Sequence, residues 1–522
     1  MGRVPHVVKT LGHSLQRMPG SSSGRMPIHL YEDAIKLLNS TQSGYEALGE
    51  KRRQGQKLDP NSLAHMTQWL RCIGYSPRDL NQMNIIHVAG TKGKGTTCAF
   101  TNSILQRFQD TIKMPRKIGL YTSPHLVAVR ERIRINSEPI SEELFTKYFF
   151  EVWNALESSA SKEGPSNKPP YFRLLTLMSF HVFMQEDVDT AIYEVGVGGE
   201  LDSTNIIDKP TAVAITTLGI DHVQTLGETI DLIAWHKAGI LKKGCPAFTT
   251  QQGPEAMQVL DHRAEEKGVN LTKVTPGAAL HKVALRPNED FQRKNASLAI
   301  ELACVALDKL DVTVDRGDDR LPIQFVEGLE NLAWRGRCET KVTGNQHWHM
   351  DGAHNERSLE VACQWFGQIT QNSKRARVLF FNQQSTRDAP SLLESIHRTL
   401  YKDFERAFQY AVFCTNITYR DRSWKVDLAD HNVDPAELKD MTLQWEMVET
   451  WRRLDPSTEA VAVPTIEDAI KFVRKLNGGD MEVDVLVTGS FHLVGGVLTF
   501  LEGKDFSLEG ISSFAESDSE KS

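Results

Sequence analysis

Short apolar runs alternate with helical patterns along the first half of the chain. The runs have the length of strands and lie at residues 85–88, 117–121, 190–195 and 211–217. Between them, apolar residues recur at helical spacing, as in the segment 174–184. Strands that alternate with helices predict a parallel sheet with helices on both of its faces.

Two further patterns belong to this half. Apolar positions within residues 34–38 and 63–70 predict two helices before the first strand. Residues 131–136 alternate charged side chains with Ile133 and Ile135. This alternation predicts a half-buried strand with Glu131 on its exposed side.

A second alternating series begins after Gly336. Its candidate strands and helices lie at residues 348–350, 358–368, 377–381, 411–413, 466–476 and 483–487. Together the two series predict two α/β domains, residues 27–335 and 336–502, joined by a hinge near Trp334.

The two ends of the chain differ in composition from the rest. Residues 1–26 are basic and contain serines, and the first acidic residue of the chain is Glu32. An acid-free basic segment is typical of a mitochondrial transit peptide, and a disordered tail explains it equally well. On the first interpretation the protein would occupy the mitochondrial matrix, and the cytoplasm too if translation also starts at Met26. Residues 503–522 are acidic and serine-rich, which predicts a solvated tail.

Charge and cysteine content narrow the functions that the chain can have. The 522 residues carry a net charge of −7, whereas a general nucleic-acid binder shows a basic excess. The seven cysteines are scattered and form no C-x-x-C pair, so they predict neither a disulfide framework nor a zinc site. No apolar run reaches the roughly 18–20 residues of a membrane helix. The nearest run, residues 485–501, is interrupted by Thr488, Ser490 and His492.

The segment that follows the first strand carries the clearest functional pattern. Glycines surround Lys92 and Lys94 directly after the apolar run, and Thr96 begins a helical pattern. A strand, a glycine turn and a helix N-terminus form a cradle for phosphate, because backbone N–H groups and the helix dipole favour an anion. The spacing is shorter than in the general phosphate loop. The residues predicted to form this nucleotide site are Gly90, Thr91, Lys92, Gly93, Lys94, Gly95 and Thr96.

Polar residues at the ends of predicted strands provide candidate metal ligands. Ser123 follows one strand, Glu194 lies inside the next, and His222 follows a third. The carboxyl ends of parallel strands meet at one edge of a sheet. A carboxylate in an apolar strand is costly to bury unless it is paired or binds a metal. Either a Mg²⁺ site or an ion pair with a lysine accounts for Glu194, and the neighbouring phosphate loop favours the metal.

Further candidates lie at strand ends or at the hinge. Lys237 lies on a predicted helix, where the alternative is a solvated lysine. Arg337 lies at the hinge, where its guanidinium could cover a phosphate from the second domain. Asp351 and His354 follow a second-domain strand in D-G-A-H-N, and Ser490 follows the last strand in T-G-S.

Together these motifs resemble those of the folylpolyglutamate synthases of eukaryotes, a family within the Mur-ligase superfamily of ATP-dependent amide-forming enzymes. The motifs are H-V-A-G-T-K-G-K-G-T-T, Y-T-S-P-H-L, R-E-R-I-R-I-N, E-V-G-V-G-G-E-L-D-S-T-N, L-G-I-D-H, H-K-A-G-I, D-G-A-H-N and V-T-G-S-F-H-L-V-G-G. The resemblance implies an α/β fold with an N-terminal Mur-ligase-like P-loop ATPase domain built on a parallel sheet. It also implies a smaller Rossmann-like C-terminal domain that binds glutamate.

The resemblance also implies a role for each candidate residue. The residues implied to bind ATP are residues 90–96, Gln292, Asn295, Arg337 and Asp351. Those implied to hold Mg²⁺ are Ser123, Glu194 and His222, and the family allows a monovalent cation such as K⁺ as well. Those implied to bind glutamate are His354 and Ser490, and those implied to be catalytic are Lys94, Lys237 and His354. Lys237 is similar to the family lysine that can be carbamylated.

The implied reaction joins L-glutamate to the γ-carboxyl group of reduced folates through an acyl phosphate, and it converts ATP to ADP and phosphate. Two alternatives stay open. A dihydrofolate synthase or a bifunctional enzyme would take dihydropteroate as acceptor, and a nucleotide-gated switch would hydrolyse ATP without ligation. The expected partners are ATP, folates and glutamate, with no nucleic acid. The implied state is a monomer, and peripheral contact with a membrane is left open.

Overall fold

The computed structural model describes residues 30–46, 49–50, 59–159, 168–315, 320–384, 388–405, 408–476 and 481–503. Within these ranges the strands form two sheets. The basic N-terminal segment, and the acidic tail from residue 504 onward, lie outside the described residues. The two interpretations of the N-terminus therefore stay predictions.

The first sheet has eight strands in the order β4-β3-β2-β5-β1-β6-β7-β8. They are β1 (Asn84–Ala89), β2 (Ile118–Tyr121), β3 (Ile133–Ile135), β4 (Glu138–Pro139), β5 (Thr190–Glu194), β6 (Ala212–Ile215), β7 (Ala247–Thr250) and β8 (Leu271–Val274). β3 and β4 are antiparallel at one edge, and the other strands run parallel. Because β1 pairs with β5 on one side and β6 on the other, the phosphate loop that follows β1 lies centrally at the carboxyl edge.

Helices cover both faces of this sheet. Those described are α1 (Tyr31–Asn39), α2 (Ser62–Cys72), α3 (Lys94–Ile112), α4 (Glu142–Ser159), α5 (Tyr171–Gln185), α6 (Val223–Leu226), α7 (Ile230–Lys237), α8 (Pro254–Lys267), α9 (Asp290–Asp308) and α10 (Ile323–Glu330). Ile85 of β1 packs with residues of α1, α2, α4 and α5, whereas Ile86 and Val88 pack with residues of α3, α9 and α10. Burial on both faces is typical of parallel strands and explains the continuous apolar run.

The second sheet has six strands in the order β13-β12-β11-β14-β10-β9. They are β9 (Glu339–Thr343), β10 (Gln346–Met350), β11 (Ala376–Phe381), β12 (Tyr410–Cys414), β13 (Glu459–Val463) and β14 (Val483–Thr488). The described helices around it are α11 (Glu356–Ile369), α12 (Ala389–Phe404), α13 (Pro435–Asp440), α14 (Thr442–Leu454), α15 (Ile466–Lys475) and α16 (Phe491–Leu501). β9 is antiparallel at the edge, and the other strands run parallel. The predicted α/β fold, with a parallel-rich sheet in each half, is confirmed.

The predicted strand at residues 131–136 begins later than its pattern indicates. β3 starts at Ile133, and Val129–Arg132 form a 3₁₀ turn. Glu131, expected on the exposed side of a strand, is 6% exposed, so that prediction is wrong. Its carboxylate accepts the backbone N–H groups of residues 126–128 at 2.9–3.0 Å, and these bonds draw it inward.

The apolar run near the C-terminus is divided between two elements. Residues 483–488 form β14, Gly489 makes a turn at φ +106°, and α16 begins at Phe491. Among the described residues, no helix is long and apolar enough to cross a membrane.

One loop of the first half packs into the second half. This junction loop, residues 122–129, follows β2. Leu126 and Val127 are buried in a core whose other members come from the second sheet, α15 and α16. Gly495 of α16 permits the approach, because a Cβ there would collide with the carbonyl oxygen of Leu126. The two halves are therefore interlocked through the junction loop.

Candidate functional site

The phosphate loop has the backbone that its glycines predict. Gly90 and Gly93 adopt φ values of +147° and +87°, in the region that favours glycine. A Cβ at Gly90 would collide with Thr216, and one at Gly93 would collide with the side chain of Asn295. α3 begins at Lys94, so the amides of its first turn have no acceptor within the helix. The loop can therefore present several N–H groups to an anion.

The segment after β6 is hydrogen-bonded to the start of the phosphate loop. The N–H groups of Thr91 and Lys92 both donate to the carbonyl oxygen of Thr217, at 3.1 and 3.0 Å. The hydroxyl of Thr216 donates to the carbonyl oxygen of Lys92 at 2.7 Å. These bonds occupy the amides at the start of the loop, so the predicted phosphate contacts would come from residues 93–96.

Glu194 and Ser123 lie beside the phosphate loop. Glu194 ends β5, and its Oε2 accepts the backbone N–H of Ser123 at 2.9 Å. A Cβ placed on Gly95 would lie 3.4 Å from Glu194 Oε1, so the carboxylate faces the start of α3. Burial raises the pKa of Glu194, and the positive charge of Lys94 opposes this effect. A bound cation would stabilise this buried anion.

His222 lies on the segment between β6 and α6. It is exposed, has a φ of +51° and precedes α6. Across the described ranges, no three His, Cys, Asp or Glu side chains are grouped so that they could hold a metal ion. The predicted set of Ser123, Glu194 and His222 contains only two side chains of these types, so its assignment stays a prediction.

Lys237 lies within the protein, not in solvent. It is 3% exposed at the end of α7, and its Nζ donates to the carbonyl oxygen of Gly90 at 2.8 Å. The alternative of a solvated helix lysine is therefore wrong. Burial lowers the pKa of Lys237 to about 7, and the charge of Lys94 contributes in the same direction.

Gln292 and Asn295 lie on the face of α9 next to the phosphate loop. Asn295 donates to Gln292 Oε1 at 3.0 Å, and Gln292 donates to the carbonyl oxygen of Arg286 at 3.1 Å. The contact between Asn295 and Gly93 places this buried amide pair beside the predicted phosphate site. Amides of this kind can read the edge of a base, and the resemblance implies that these two bind ATP.

Arg337 and Asp351 are the residues of the second half that the sequence predicts at the nucleotide site. The guanidinium of Arg337 lies 4.3 Å from the ring centre of Phe491. Asp351 is buried, and its carboxylate accepts the N–H groups of Cys338 and Ala353 at 2.9 Å each. Burial raises the pKa of Asp351, and the charge of Arg337 opposes this effect. The same guanidinium also opposes the raised pKa of Glu194, so it acts on carboxylates of both halves.

His354 and Ser490 lie on neighbouring loops after β10 and β14. His354 Nδ1 lies 3.1 Å from the carbonyl oxygen of Gly352, and the Ser490 hydroxyl oxygen accepts the N–H of His492 at 3.2 Å. Gln383 joins the loops by donating to the carbonyl oxygens of His354 and Gly489, at 3.2 and 3.0 Å.

Three residues at the site had not been predicted from the sequence. Gln383 gave no signal, because it follows β11 in a polar segment with no motif of its own. Phe491 contacts Arg337 and lies 6.3 Å from the ring of His354. Arg132 is 8% exposed, donates to His125 at 2.9 Å and lies 5.6 Å from the ring centre of Tyr171. Arg132 and Phe491 stand inside motifs that the sequence shows, and that position is the signal that could have found them.

Comparison with known proteins shows which proteins the chain is similar to. A scan against protein-family models finds no match. The chain is 50% identical over 487 residues to the folylpolyglutamate synthase of Neurospora crassa, covering 91% of this chain and 92% of that protein. It is 44% identical over 493 residues to the folylpolyglutamate synthase of Saccharomyces cerevisiae, covering 92% of this chain and 88% of that protein.

Solved structures share the fold. The folylpolyglutamate synthase of Thermotoga maritima aligns with a TM-score of 0.65 at 24% identity, over 92% of this chain and 98% of that chain. The enzyme of Mycobacterium tuberculosis in complex with ADP aligns with a TM-score of 0.66 at 21% identity, over 91% of this chain and 100% of that chain. With half of its residues identical to a fungal relative over nearly the whole of both chains, the chain belongs to the folylpolyglutamate synthase family.

Proposed function

We propose that this chain joins the amine of L-glutamate to the γ-carboxyl group of folates and converts ATP to ADP and phosphate. The observation that carries the proposal is the 50% identity to a folylpolyglutamate synthase over 91% of the chain. The site agrees with this reaction, because Arg337 of the second half contacts Phe491, next to Ser490, and its charge also acts on Glu194 beside the phosphate loop.

The first step activates a poor electrophile. A folate carboxylate oxygen attacks the γ-phosphorus of ATP, and ADP leaves with the electrons of the broken bond. Charge then shifts onto the bridging and transferred oxygens, where Lys94 and the first amides of α3 stabilise it. Arg337 adds a second cation from the other half.

The second step forms the amide. The amine of glutamate attacks the acyl phosphate, phosphate leaves, and the nitrogen must lose a proton. The Gly352 carbonyl can only accept, so His354 Nδ1 carries a proton and the lone pair of a neutral ring lies on Nε2. In the proposed reaction, His354 takes this proton through Nε2. Water would destroy the acyl phosphate, which gives a reason to enclose the site between two halves.

Glu194 and Ser123 would hold Mg²⁺. A buried carboxylate oxygen beside a phosphate loop fits the preference of this ion for one or two carboxylates together with phosphate oxygens. The ion would supply Lewis-acid stabilisation of phosphate charge. His222 would complete the set as its third ligand.

Lys237 supports a further part of the proposal. A pKa of about 7 leaves much of the amine neutral near neutral pH, and the neutral amine is the form that reacts with CO₂. A carbamate would convert a buried cation next to Lys94 into an anion, which favours a cation at the phosphate site.

Location and oligomeric state complete the proposal. The basic segment 1–26 supports a mitochondrial form, and initiation at Met26 supports a cytoplasmic one. Fluorescent fusions that start at residue 1 or at Met26 test this, because identical distributions would contradict it. Sedimentation at micromolar concentration tests the proposed monomer.

One assay separates the candidate functions. ADP release is measured with tetrahydrofolate plus glutamate, with dihydropteroate plus glutamate, and with neither acceptor. We expect release that requires both tetrahydrofolate and glutamate. Release with dihydropteroate would favour the dihydrofolate synthase alternative, and release that ignores both acceptors would overturn the ligase.

A further inference from the structure

We infer that Asp427 is a positioning residue: by holding the junction loop it fixes Ser123 and, through Ser123, the carboxylate of Glu194. The inference deepens the proposed function, on which it rests for its effect on ligation. Asp427 lies in the second half of the chain, far in sequence from every residue it affects.

The segment Lys425–Asp427 contacts the junction loop at alternate residues. Lys425 Nζ donates to the carbonyl oxygen of Val127 at 3.0 Å, and the ring of His125 donates to the carbonyl oxygen of Asp427 at 2.8 Å. The carboxylate Oδ1 of Asp427 accepts the N–H of Val129 at 2.9 Å. Three positions of the loop are thus held by one short piece of the second half.

The same carboxylate oxygen also holds the first helix of the chain. Tyr31 of α1 donates its hydroxyl to Asp427 Oδ1 at 2.6 Å. Asp427 is 5% exposed, so water does not replace these two donors easily. Next to it, Asn39 donates to the carbonyl oxygen of Val426 at 2.8 Å, which extends the contact along α1. Asp427 therefore joins α1 and the junction loop to the second half.

The junction loop leads directly to the predicted metal ligands. It begins one residue after β2, and its Ser123 donates a backbone N–H to Glu194 at 2.9 Å. The far end of the loop is held by Glu131, whose carboxylate accepts three of its N–H groups. Removal of the Asp427 carboxylate would leave the N–H of Val129 and the hydroxyl of Tyr31 without their acceptor, while the loop keeps its bonds to Lys425, to Glu131 and to the backbone carbonyl of residue 427. Ser123 would then lose part of the support that sets its position.

The test compares Asp427→Ala with a matched control, Asp455→Ala. Asp455 is 4% exposed and also accepts a tyrosine hydroxyl, from Tyr401 at 3.0 Å, together with the N–H of Ser457 at 3.0 Å. These hydrogen bonds, and those from the hydroxyls of Ser457 and Thr458, all lie within the second half. Both variants remove a buried carboxylate with similar partners, and the Asp427 variant is the one that removes a contact of the junction loop.

Two properties are measured. One is the affinity for the non-hydrolysable ATP analogue AMPPCP with and without Mg²⁺, and the other is the kcat and KM of ligation. We expect Asp427→Ala to lower kcat by about 10- to 100-fold and to weaken the gain in AMPPCP affinity that Mg²⁺ brings. Asp455→Ala should lower the unfolding temperature and leave both readouts near wild type. Asp427→Asn keeps an oxygen that can accept both donors and should restore most of the activity.

Equal behaviour of Asp427→Ala and Asp455→Ala in the Mg²⁺-dependent binding would overturn the inference. If Asp427→Ala does not fold, Tyr31→Phe removes one donor alone and should shift the same readouts by a few-fold. Nucleotide binding needs no ligation, so a failure of the proposed function would show separately, as an inactive wild-type protein with normal Mg²⁺-dependent binding.

A second pair of variants reaches the loop from the opposite side. Gly495→Ala places a methyl group against the carbonyl oxygen of Leu126, whereas Gly496→Ala meets the flexible end of Ile466 within the second half. We expect the Gly495 variant to reproduce the effect of Asp427→Ala on Mg²⁺-dependent binding, and the Gly496 variant not to do so. The opposite order would count against the junction loop as the route to Glu194.

Discussion

Replacement of Lys237 by methionine should make the folded protein more stable near neutral pH while it abolishes ligation. Burial lowers the pKa of this lysine from 10.5 to about 7. Since one pKa unit corresponds to about 1.4 kcal/mol, keeping the lysine buried costs about 4 kcal/mol at pH 7. Methionine has a similar length and carries no charge. It leaves the Gly90 carbonyl without its donor, at a cost of roughly 1–3 kcal/mol. The net gain is about 1–3 kcal/mol at pH 7.

The sign of this effect depends on pH. The unfolded chain binds more protons at Lys237 than the folded chain does between about pH 7 and 10.5, so wild-type stability rises with pH in that window. The methionine variant lacks this contribution. Its advantage should therefore shrink above pH 7, vanish near about pH 9 and become a deficit at higher pH.

Thermal unfolding in buffers purged of CO₂ measures the difference between wild type and Lys237→Met at pH 7, 8 and 9. Lys243→Met is the matched control, because Lys243 is exposed and its replacement should give no pH-dependent difference. A methionine variant that is less stable than wild type at every pH, with a parallel pH profile, would refute the reasoning.

Replacement of Lys237 by alanine tests its role in catalysis. Lys237→Ala should be severely impaired, and formate or acetate should restore part of the activity by supplying an anion where the carbamate would lie. Full activity of Lys237→Ala, or of wild-type protein rigorously depleted of CO₂, would remove the carbamate from the proposal.

Three further substitutions test the site. Lys94→Ala should keep the fold and lower kcat by roughly 100-fold or more, because the lysine interacts mainly with charge that develops on the phosphoryl oxygens; near-normal kcat would remove it from this role. Glu194→Gln should lower activity and raise the Mg²⁺ concentration for half-maximal rate, and an unchanged requirement would contradict its assignment as a ligand. Glu131→Ala should destabilise the protein by about 2 kcal/mol or more, since it leaves three buried N–H groups without an acceptor; unchanged thermal unfolding would show that these groups find other partners.

The centre of each sheet could be predicted from sequence because its strands are buried on both faces. In a chain that alternates strands and helices, a continuous apolar run such as residues 85–88 indicates a parallel strand in the middle of the sheet. The phosphate loop was predictable for a related reason, since only glycine tolerates the backbone of Gly90 and Gly93 next to Thr216 and Asn295.

The edges and the contacts between halves could not be predicted in the same way. Period-two alternation indicated that Glu131 belongs to a strand, because hydropathy does not register a carboxylate that binds the backbone three to five residues earlier. Tyr31 and Asp427 are 396 residues apart, and no local pattern in either segment indicates that they form a hydrogen bond. In the sequence, Arg132 is one of several charged residues in an alternating segment, and its burial follows only from the tertiary structure.

The burial of Leu126 and Val127 in the core of the second sheet has a consequence for how the chain can be divided. A cut at the hinge near Trp334 would leave the first piece with two large apolar side chains in water, and the second piece with an unfilled space beside α16. Neither piece would therefore fold stably on its own. Heating should therefore melt both sheets in a single transition, and a protease that nicks the hinge should leave the two fragments associated.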